Sequence, residues 1–343
     1  MSQEVAKAQR YQRQIIFREL GETGQHRLQT ARVAIVGVGA TGSTIAHWLA
    51  RAGVGYLRLI DRDFVEWHNL HRQALYTEED AAAELPKAVA AANALRQINS
   101  DITVEPVVAD LNPENALDLL SDVDLIMDGS DNFFTRYLIN DVSLHEHIPW
   151  IYTGAIAAYG SSATFIPHEG PCYRCIFAEV PPPGAGETCD TVGVLGPAVG
   201  VMASYSAGEA LKLLARMGQR NPGLVYFDLL SNTWELFRAE KRDDCPACGL
   251  GQYEFLEAER GTWTTTLCGR NAVQIVVAGR PHLDLERLAQ RLQGVHDVRL
   301  NPYLLRFRTD GYEISVFPDA RAIIKGTNDP DVAKSLYARF IGM

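Results

Sequence analysis

The chain has 343 residues, 47% of them hydrophobic and 22% charged, a balance that suits one large α/β domain with a smaller appendage. Its formal net charge of -10 argues against a general affinity for nucleic acid. Six cysteines, four of them in Cys-x-x-Cys pairs, are too few and too clustered for a secreted disulfide framework and point to metal or redox chemistry.

The opening residues are polar, with Lys7 and Arg10 and no apolar stretch behind them. No secretory signal is read there, and a cytoplasmic location is expected. Residues 1–30 read as a helical arm with Tyr11, Ile15, Ile16, Leu20 and Leu28 as apolar contacts. Residues 32–37 form a short β-branched run of the kind buried in parallel sheets. The turn Gly37-Val-Gly39-Ala-Thr-Gly42 follows, then helical periodicity over 45–52 and a second strand over 56–60. Asp61 ends that strand, nineteen residues after Gly42. Glycines between strand and helix let the backbone approach a phosphate, the helix N-terminus favours negative charge, and the acid suits ribose hydroxyls. The combination predicts a nucleotide site.

A second acid, Asp63, comes next, then Val65-Glu-Trp-His-Asn69-Leu-His-Arg72-Gln73, then Pro86-Lys87 opening a helix to Ile98. Arg72 and Lys87, near one sheet edge, suit a triphosphate whose charge must be neutralised during displacement at phosphorus. Taken singly, each is an ordinary solvated cation. A strand at 103–108, a helix at 113–120, a strand at 123–127, a helix at 133–147 and an extended stretch at 150–153 continue the alternation. It implies a doubly wound, Rossmann-like, mostly parallel sheet, with residues 31–165 as the nucleotide-binding part. Asp128-Gly-Ser-Asp131-Asn132 lies at the C-terminal end of a strand, where such sheets bind ligands. Asp131 there suits magnesium, or else merely caps the helix that follows.

The pattern changes over residues 166–257. A strand at 161–166 leads to a proline-glycine loop at 181–186, a long helix at 196–217 and a strand at 224–228. The uncharged run 191–208 approaches a membrane span in length, but its glycines, serines and Pro197 favour a loop feeding a buried helix. Cys172-Tyr-Arg-Cys175 and Cys245-Pro-Ala-Cys248 are separated by 69 residues, and four thiolates so spaced suit a closed tetrahedral zinc site. Cys189 follows the proline-glycine loop, a setting typical of functional cysteines, although it also reads as a small residue packed under the loop. Residues 261–343 read as a small α+β domain. It has strand composition at 264–277, an amphipathic helix at 283–292, a hairpin of 303–307 with 312–317 around Asp310-Gly311, and a last helix at 330–340. The tail is short for a rhodanese-like sulphurtransferase, and Cys268 sits in an apparent strand. The ending Phe340-Ile-Gly342-Met343 is not the exposed Gly-Gly of a fused carrier.

Several of these motifs recur together in one family. Tyr11-Gln-Arg13-Gln14, the glycine turn, Asp61-Arg-Asp63, Asn69-Leu-His-Arg72-Gln73, Pro86-Lys87 and Asp131-Asn132 with Thr135-Arg136-Tyr137 resemble ubiquitin-activating-type adenylyltransferases. The match is nearest to the ThiF/MoeB kind and covers residues 11–249. The resemblance implies an enzyme that uses ATP and magnesium to adenylylate the C-terminal glycine carboxylate of a ubiquitin-like sulphur carrier. The pathways it implies are thiamine, molybdopterin or tRNA thiolation. By position, Gly39 and Gly42 would shape the pocket and Asp61 would hold the ribose, with Gly37 and Asp63 also counted among the nucleotide-binding residues, and Asn69, Arg72 and Lys87 would contact phosphates. Asp131 beside Asn132 would hold magnesium, and Arg13 would reach the ATP of the partner subunit, implying a homodimer. Cys189 would be a second nucleophile, taking an acyl group or joining a persulfide relay, with a cysteine desulfurase as a further candidate partner. Thr41 departs from the apolar residue common there. Two rivals stand beside this reading: a nicotinamide-dependent oxidoreductase, and a nucleotide-binding scaffold without chemistry.

Overall fold

The structure is a computed structural model, in which residues 9–180, 189–258, 263–267, 271–277, 283–294 and 297–342 are described. For residues 189–190 and 263–267 the description is of the backbone alone. The chain divides into two compact units: Met1–Ala185 with Val192–Ala258, and Gly186–Thr191 with Glu259–Met343.

In the first unit, helices α1 (Gln12–Ile15) and α2 (Gly21–Thr30) precede β1 (Arg32–Val36). Then come α3 (Ala40–Ala52), β2 (Tyr56–Ile60), α4 (Glu78–Ala82), α5 (Lys87–Ile98), β3 (Thr103–Val107), α6 (Ala116–Leu120) and β4 (Leu125–Asp128). They are followed by α7 (Phe133–Glu146), β5 (Trp150–Ile156), β6 (Tyr159–Phe165) and α8 (Tyr173–Ile176). Beyond α9 (Cys189–Val192), whose first three residues belong to the second unit, come α10 (Gly196–Ala215) and the strands β7 (Leu224–Asp228) and β8 (Thr233–Phe237) that complete the large sheet. Its order is β3-β2-β1-β4-β5-β6-β7-β8, parallel from β3 to β5 and antiparallel from β5 to β8. Alternate residues of β1 explain why the run reads as continuously apolar. Val33 and Ile35 pack with Ile45, Leu49 and Ala207 on one face, while Ala34 and Val36 pack with Tyr137, Leu138 and Trp150 on the other.

The strand order places the site. From β1 the chain winds outward to β2 and β3, then returns to lay β4 on the other side of β1. The crevice at that reversal, beyond the C-terminal ends of β1 and β4, is where open α/β sheets receive ligands. Val36 and Asp128 are partners in register at this point.

Several boundaries differ from the sequence expectation, each for a local reason. Helix α3 begins at Ala40, not near residue 45, because Gly42 belongs to its first turn: a Cβ there would stand 1.9 Å from the Gly37 carbonyl oxygen. Pro86 is the N-cap of α5 and Lys87 its first residue. Helix α6 starts only at Ala116, since the Asn112 and Asn115 side chains accept the Glu114 and Asn112 N–H groups and hold a turn. Strand β8 was not foreseen. Its outward residues are exposed, so it carries no burial alternation, and it is paired to β7 through a tight turn with Asn232 at φ 54°. The run 191–208 does lead into α10, whose Ala198, Met202, Ala203 and Ala210 are buried. Among the described residues no helix is long and apolar enough to cross a membrane.

The second unit holds a six-stranded antiparallel sheet in the order β11-β12-β13-β14-β10-β9. Its elements are β9 (Trp263–Leu267), β10 (Ala272–Val276), α11 (Leu285–Leu292), β11 (Asp297–Leu300), β12 (Leu305–Thr309), β13 (Tyr312–Val316), β14 (Ala322–Lys325) and α12 (Pro330–Phe340). The hairpin at Asp310-Gly311 lies where expected, and β11 and β14 are additional. Leu288 and Leu292 of α11 and Tyr337 and Phe340 of α12 share a core with Phe307, Ile314 and Ile324. The expected proline-glycine loop, the start of the N-terminal arm and Cys268 lie outside the described residues.

Candidate functional site

The glycine turn and the loop after β4 meet backbone to backbone at the switch point. Gly37 adopts φ 81°, and a Cβ on it would lie 2.8 Å from the Gly129 carbonyl. Only glycine combines that conformation with that approach. Thr41 donates its hydroxyl to the Gly129 carbonyl at 3.2 Å and so ties the two loops. Above Gly39 the space is open: a Cβ there would meet nothing closer than the Gln73 Nε2 at 3.9 Å.

Asp61 braces this turn from beneath. One carboxylate oxygen accepts the Val38 N–H and the other the Asp63 N–H, each at 2.7 Å. Burial pushes its carboxyl up from the ordinary range, and the Lys87 charge opposes that shift. Lys87, itself buried at the start of α5, sets its ammonium 3.2 Å from Asp63, and its backbone N–H donates to the Asp63 carbonyl at 2.8 Å. Tyr76, also buried, donates its hydroxyl to the Val38 carbonyl at 2.6 Å. Asp61, Asp63, Lys87 and the glycine turn therefore form one bonded cluster.

The polar stretch between β2 and α5 closes over it. Asn69 is buried and its Oδ1 accepts the Glu66 N–H at 3.1 Å, capping a short 3₁₀ turn. Arg72 donates to the His68 carbonyl at 2.7 Å and is half-buried. Gln73 is 4% exposed, and its Oε1 has no hydrogen-bond partner among the described residues. A buried amide left unpaired costs about 1–3 kcal/mol unless something meets it, so this orphan beside the open space over Gly39 fits a polar ligand. Sequence reasoning gave Gln73 no role of its own, because only its neighbours in space single it out.

At the other lip, Asn132, and not Asp131, is the N-cap of α7. Its Oδ1 accepts the Phe134 N–H at 2.8 Å, which leaves the Asp131 carboxylate exposed and without a hydrogen bond or ion pair among the described residues. An exposed carboxylate at this edge, felt by the Arg136 charge behind it, suits a hard cation. Behind it lies a pair that sequence reasoning did not assign: Arg136 donates to the fully buried Asp128 at 3.2 Å and to the Ser130 carbonyl at 2.8 Å. Asp128 also accepts the Ser130 N–H at 2.9 Å, so the loop that carries Asp131 is fixed from within. Two expected residues stand apart. Arg13 is exposed on α1 with no hydrogen bond or ion pair among the described residues, and the Cys189 side chain is outside them.

The four paired cysteines converge elsewhere in the first unit. Their sulfurs all lie within 4.8 Å of one another, with Cys172–Cys245 at 3.7 Å, Cys175–Cys248 at 3.4 Å and Cys172–Cys175 at 4.0 Å. Tetrahedral zinc with bonds of about 2.3 Å requires sulfurs about 3.8 Å apart, so the donor set fits zinc. Burial and mutual repulsion push the Cys172 thiol far up and the Cys248 thiol up to about 12. The Cys245 thiol, despite burial, is drawn down by the Cys248 N–H. Four thiols held this close can all ionise only around a cation, which the geometry leaves room for.

Residues 11–247 match the ThiF family. A Bacillus subtilis protein described as sulfur carrier protein ThiS adenylyltransferase is 44% identical over 337 residues, 97% of this chain and 99% of its own. The SAMP-activating enzyme E1 of Haloferax volcanii is 41% identical over 75% of this chain and 94% of its own. The Xenopus laevis adenylyltransferase and sulfurtransferase MOCS3 is 39% identical over 70% of this chain and 53% of its own. Among solved structures, E. coli MccB with succinimide superposes with a TM-score of 0.62 at 21% identity, covering 70% of this chain and 74% of that one.

Proposed function

The chain belongs to the ThiF family, and from that membership we propose that it adenylylates the C-terminal glycine carboxylate of a ubiquitin-like sulphur carrier. The observation that carries the reading is the bonded cluster of Asp61, Asp63 and Lys87 under an open glycine turn, whose Gly37 meets the Gly129 backbone two residues before the exposed Asp131. Relatives described as adenylyltransferases, one of them 44% identical over 97% of this chain, displace both the oxidoreductase reading and the silent scaffold.

A carboxylate does not condense with an amine or thiol at neutral pH, because its oxygen leaves poorly. One carboxylate oxygen of the carrier attacks the α-phosphorus of ATP. The bond from that phosphorus to the bridging oxygen breaks, pyrophosphate departs, and a mixed acyl-phosphate anhydride remains. The chain's task is positioning and charge neutralisation. Asp61 serves the ribose while keeping the Val38 amide in place. Lys87, oriented by Asp63, and Arg72 offset charge on the phosphates, while Asn69 and Gln73 offer them amide N–H donors. Asp131 beside Asn132 would hold magnesium, which supplies further neutralisation of the departing pyrophosphate.

The finer assignments belong to the same proposal. Arg13, exposed and unengaged, reaches the ATP of a second copy in a homodimer. Cys189 acts after adenylation as a second nucleophile, with a cysteine desulfurase as sulphur donor. The four-cysteine centre holds structural zinc, and the reaction runs in the cytoplasm for thiamine, molybdopterin or tRNA thiolation. The test is carrier-dependent exchange of labelled pyrophosphate into ATP. Wild-type protein should catalyse it with a Gly-Gly-ended carrier, and Asp131→Ala should abolish it. Full exchange by that variant would remove Asp131 from the site.

A further inference from the structure

Helix α7, which presents Asn132 and follows Asp131, is gripped along one side by residues 253–257, a segment that follows the stretch 11–247 matched to the ThiF family. The contacts fall on Phe134, Tyr137, Asp141 and His145, spacings that make one stripe of a helix. The Phe255 ring stacks on Tyr137 at 4.8 Å and 16°, and meets Phe134 edge-on at 5.5 Å. The Phe255 N–H donates to the buried Asp141 at 2.9 Å, and Tyr253 meets His145 edge-on at 5.6 Å. Arg174, between the first cysteine pair, holds the segment from the opposite side. It pairs with Glu254 at 2.8 Å and stands 5.5 Å from the centre of the Phe255 ring.

The first turn of a helix is its weakest part, because its N–H groups lack partners within the helix. Here the cap bond runs from the Phe134 N–H to Asn132, and Phe134 is the residue whose ring Phe255 meets. We propose that Phe255 is a positioning residue for the nucleotide site. Seated between the cysteine centre and α7, it fixes the first turn of that helix and thereby the placement of Asn132 and Asp131. This rests on the adenylyltransferase reading of the same site.

The experiment is equilibrium binding of ATP with magnesium to the full chain, read beside pyrophosphate exchange, for wild type, Phe255→Ala, Phe255→Leu and Phe255→Tyr. Phe255→Ala should weaken ATP binding, and raise the half-saturating ATP concentration in exchange, by between about three- and tenfold, the size of an aromatic pair. Phe255→Tyr, which keeps the ring, should restore both. A merely structural role would lower the active fraction and leave the affinity of the rest unchanged. Should Phe255→Ala not fold, Phe255→Leu keeps apolar bulk without the stack and must still weaken binding. ATP affinity equal to wild type in the folded variants would overturn this inference alone. No ATP binding by wild type would overturn the adenylyltransferase reading and this inference with it.

Discussion

Lys87 has a structural and a chemical role that can be separated. Its ammonium is held near Asp63 in surroundings that exclude most water, so removing it leaves Asp63 with Arg62 at 3.9 Å and the buried Asp61 without the charge that opposes its burial. Breaking such a pair costs about 3–5 kcal/mol, whereas deleting both partners costs less. Lys87→Ala should therefore lower the melting temperature, and the double variant with Asp63→Ala should recover part of it, the remainder reflecting the buried Asp61 left without the Lys87 charge. Exchange activity should stay about 100-fold or more down in both, because loss of a cation at the developing charge is not repaired by removing its neighbour. Thermal melts and exchange assays on the three proteins check this, and activity recovered along with stability would make Lys87 only structural. At this scale the sequence marked Asp61, Lys87 and Asp131 by type and spacing. Gln73, Arg136 and Asp128 stood in the motifs without roles of their own, since an orphan oxygen or a buried partner exists only once the chain has closed.

At the scale of elements, α7 joins the nucleotide lip to the cysteine centre, and its Asp141 should be felt in stability against pH. Burial raises the Asp141 carboxyl to about 6, against the Phe255 N–H and the Arg174 charge that favour its anion. The Tyr253 phenol also faces it. A carboxyl whose folded value exceeds its unfolded one, about 3.9, contributes stability that is present below pH ~4 and lost as pH rises through about 6. Wild type should thus lose up to about 3 kcal/mol relative to Asp141→Asn between those limits. The buried Asp61 and Asp128 also titrate upward but are common to both proteins and cancel in the difference. Urea unfolding of the two at a series of pH values measures it, and parallel curves would refute it. Strands β1 to β5 and helices α5, α7 and α10 were legible because burial on one or both faces imposes period and composition. Strand β8 was not, as an exposed edge strand is specified by its partner β7 more than by its own residues.

For the whole molecule, the exposed Arg13 makes a prediction about assembly. If it completes the site of a second copy, Arg13→Ala and Asp131→Ala are each inactive alone but complementary when mixed. In a symmetric dimer formed at random from equal parts, about a quarter of all sites would carry both intact groups. Exchange activity of the remixed proteins near that fraction supports action in trans, and none above the single variants excludes it.

The sequence by itself determined the nucleotide turn, the acid after the second strand, the two cysteine pairs and the winding alternation, because each is a local pattern that chain geometry demands. Which loops would meet, it left undecided. The return of β4 to the free side of β1 sets Gly129 against Gly37, leaves Asp131 exposed while Asn132 takes the cap, and lays Phe255 on α7. Those are contacts between residues far apart in the chain, and only the packing of both sheet faces selects them.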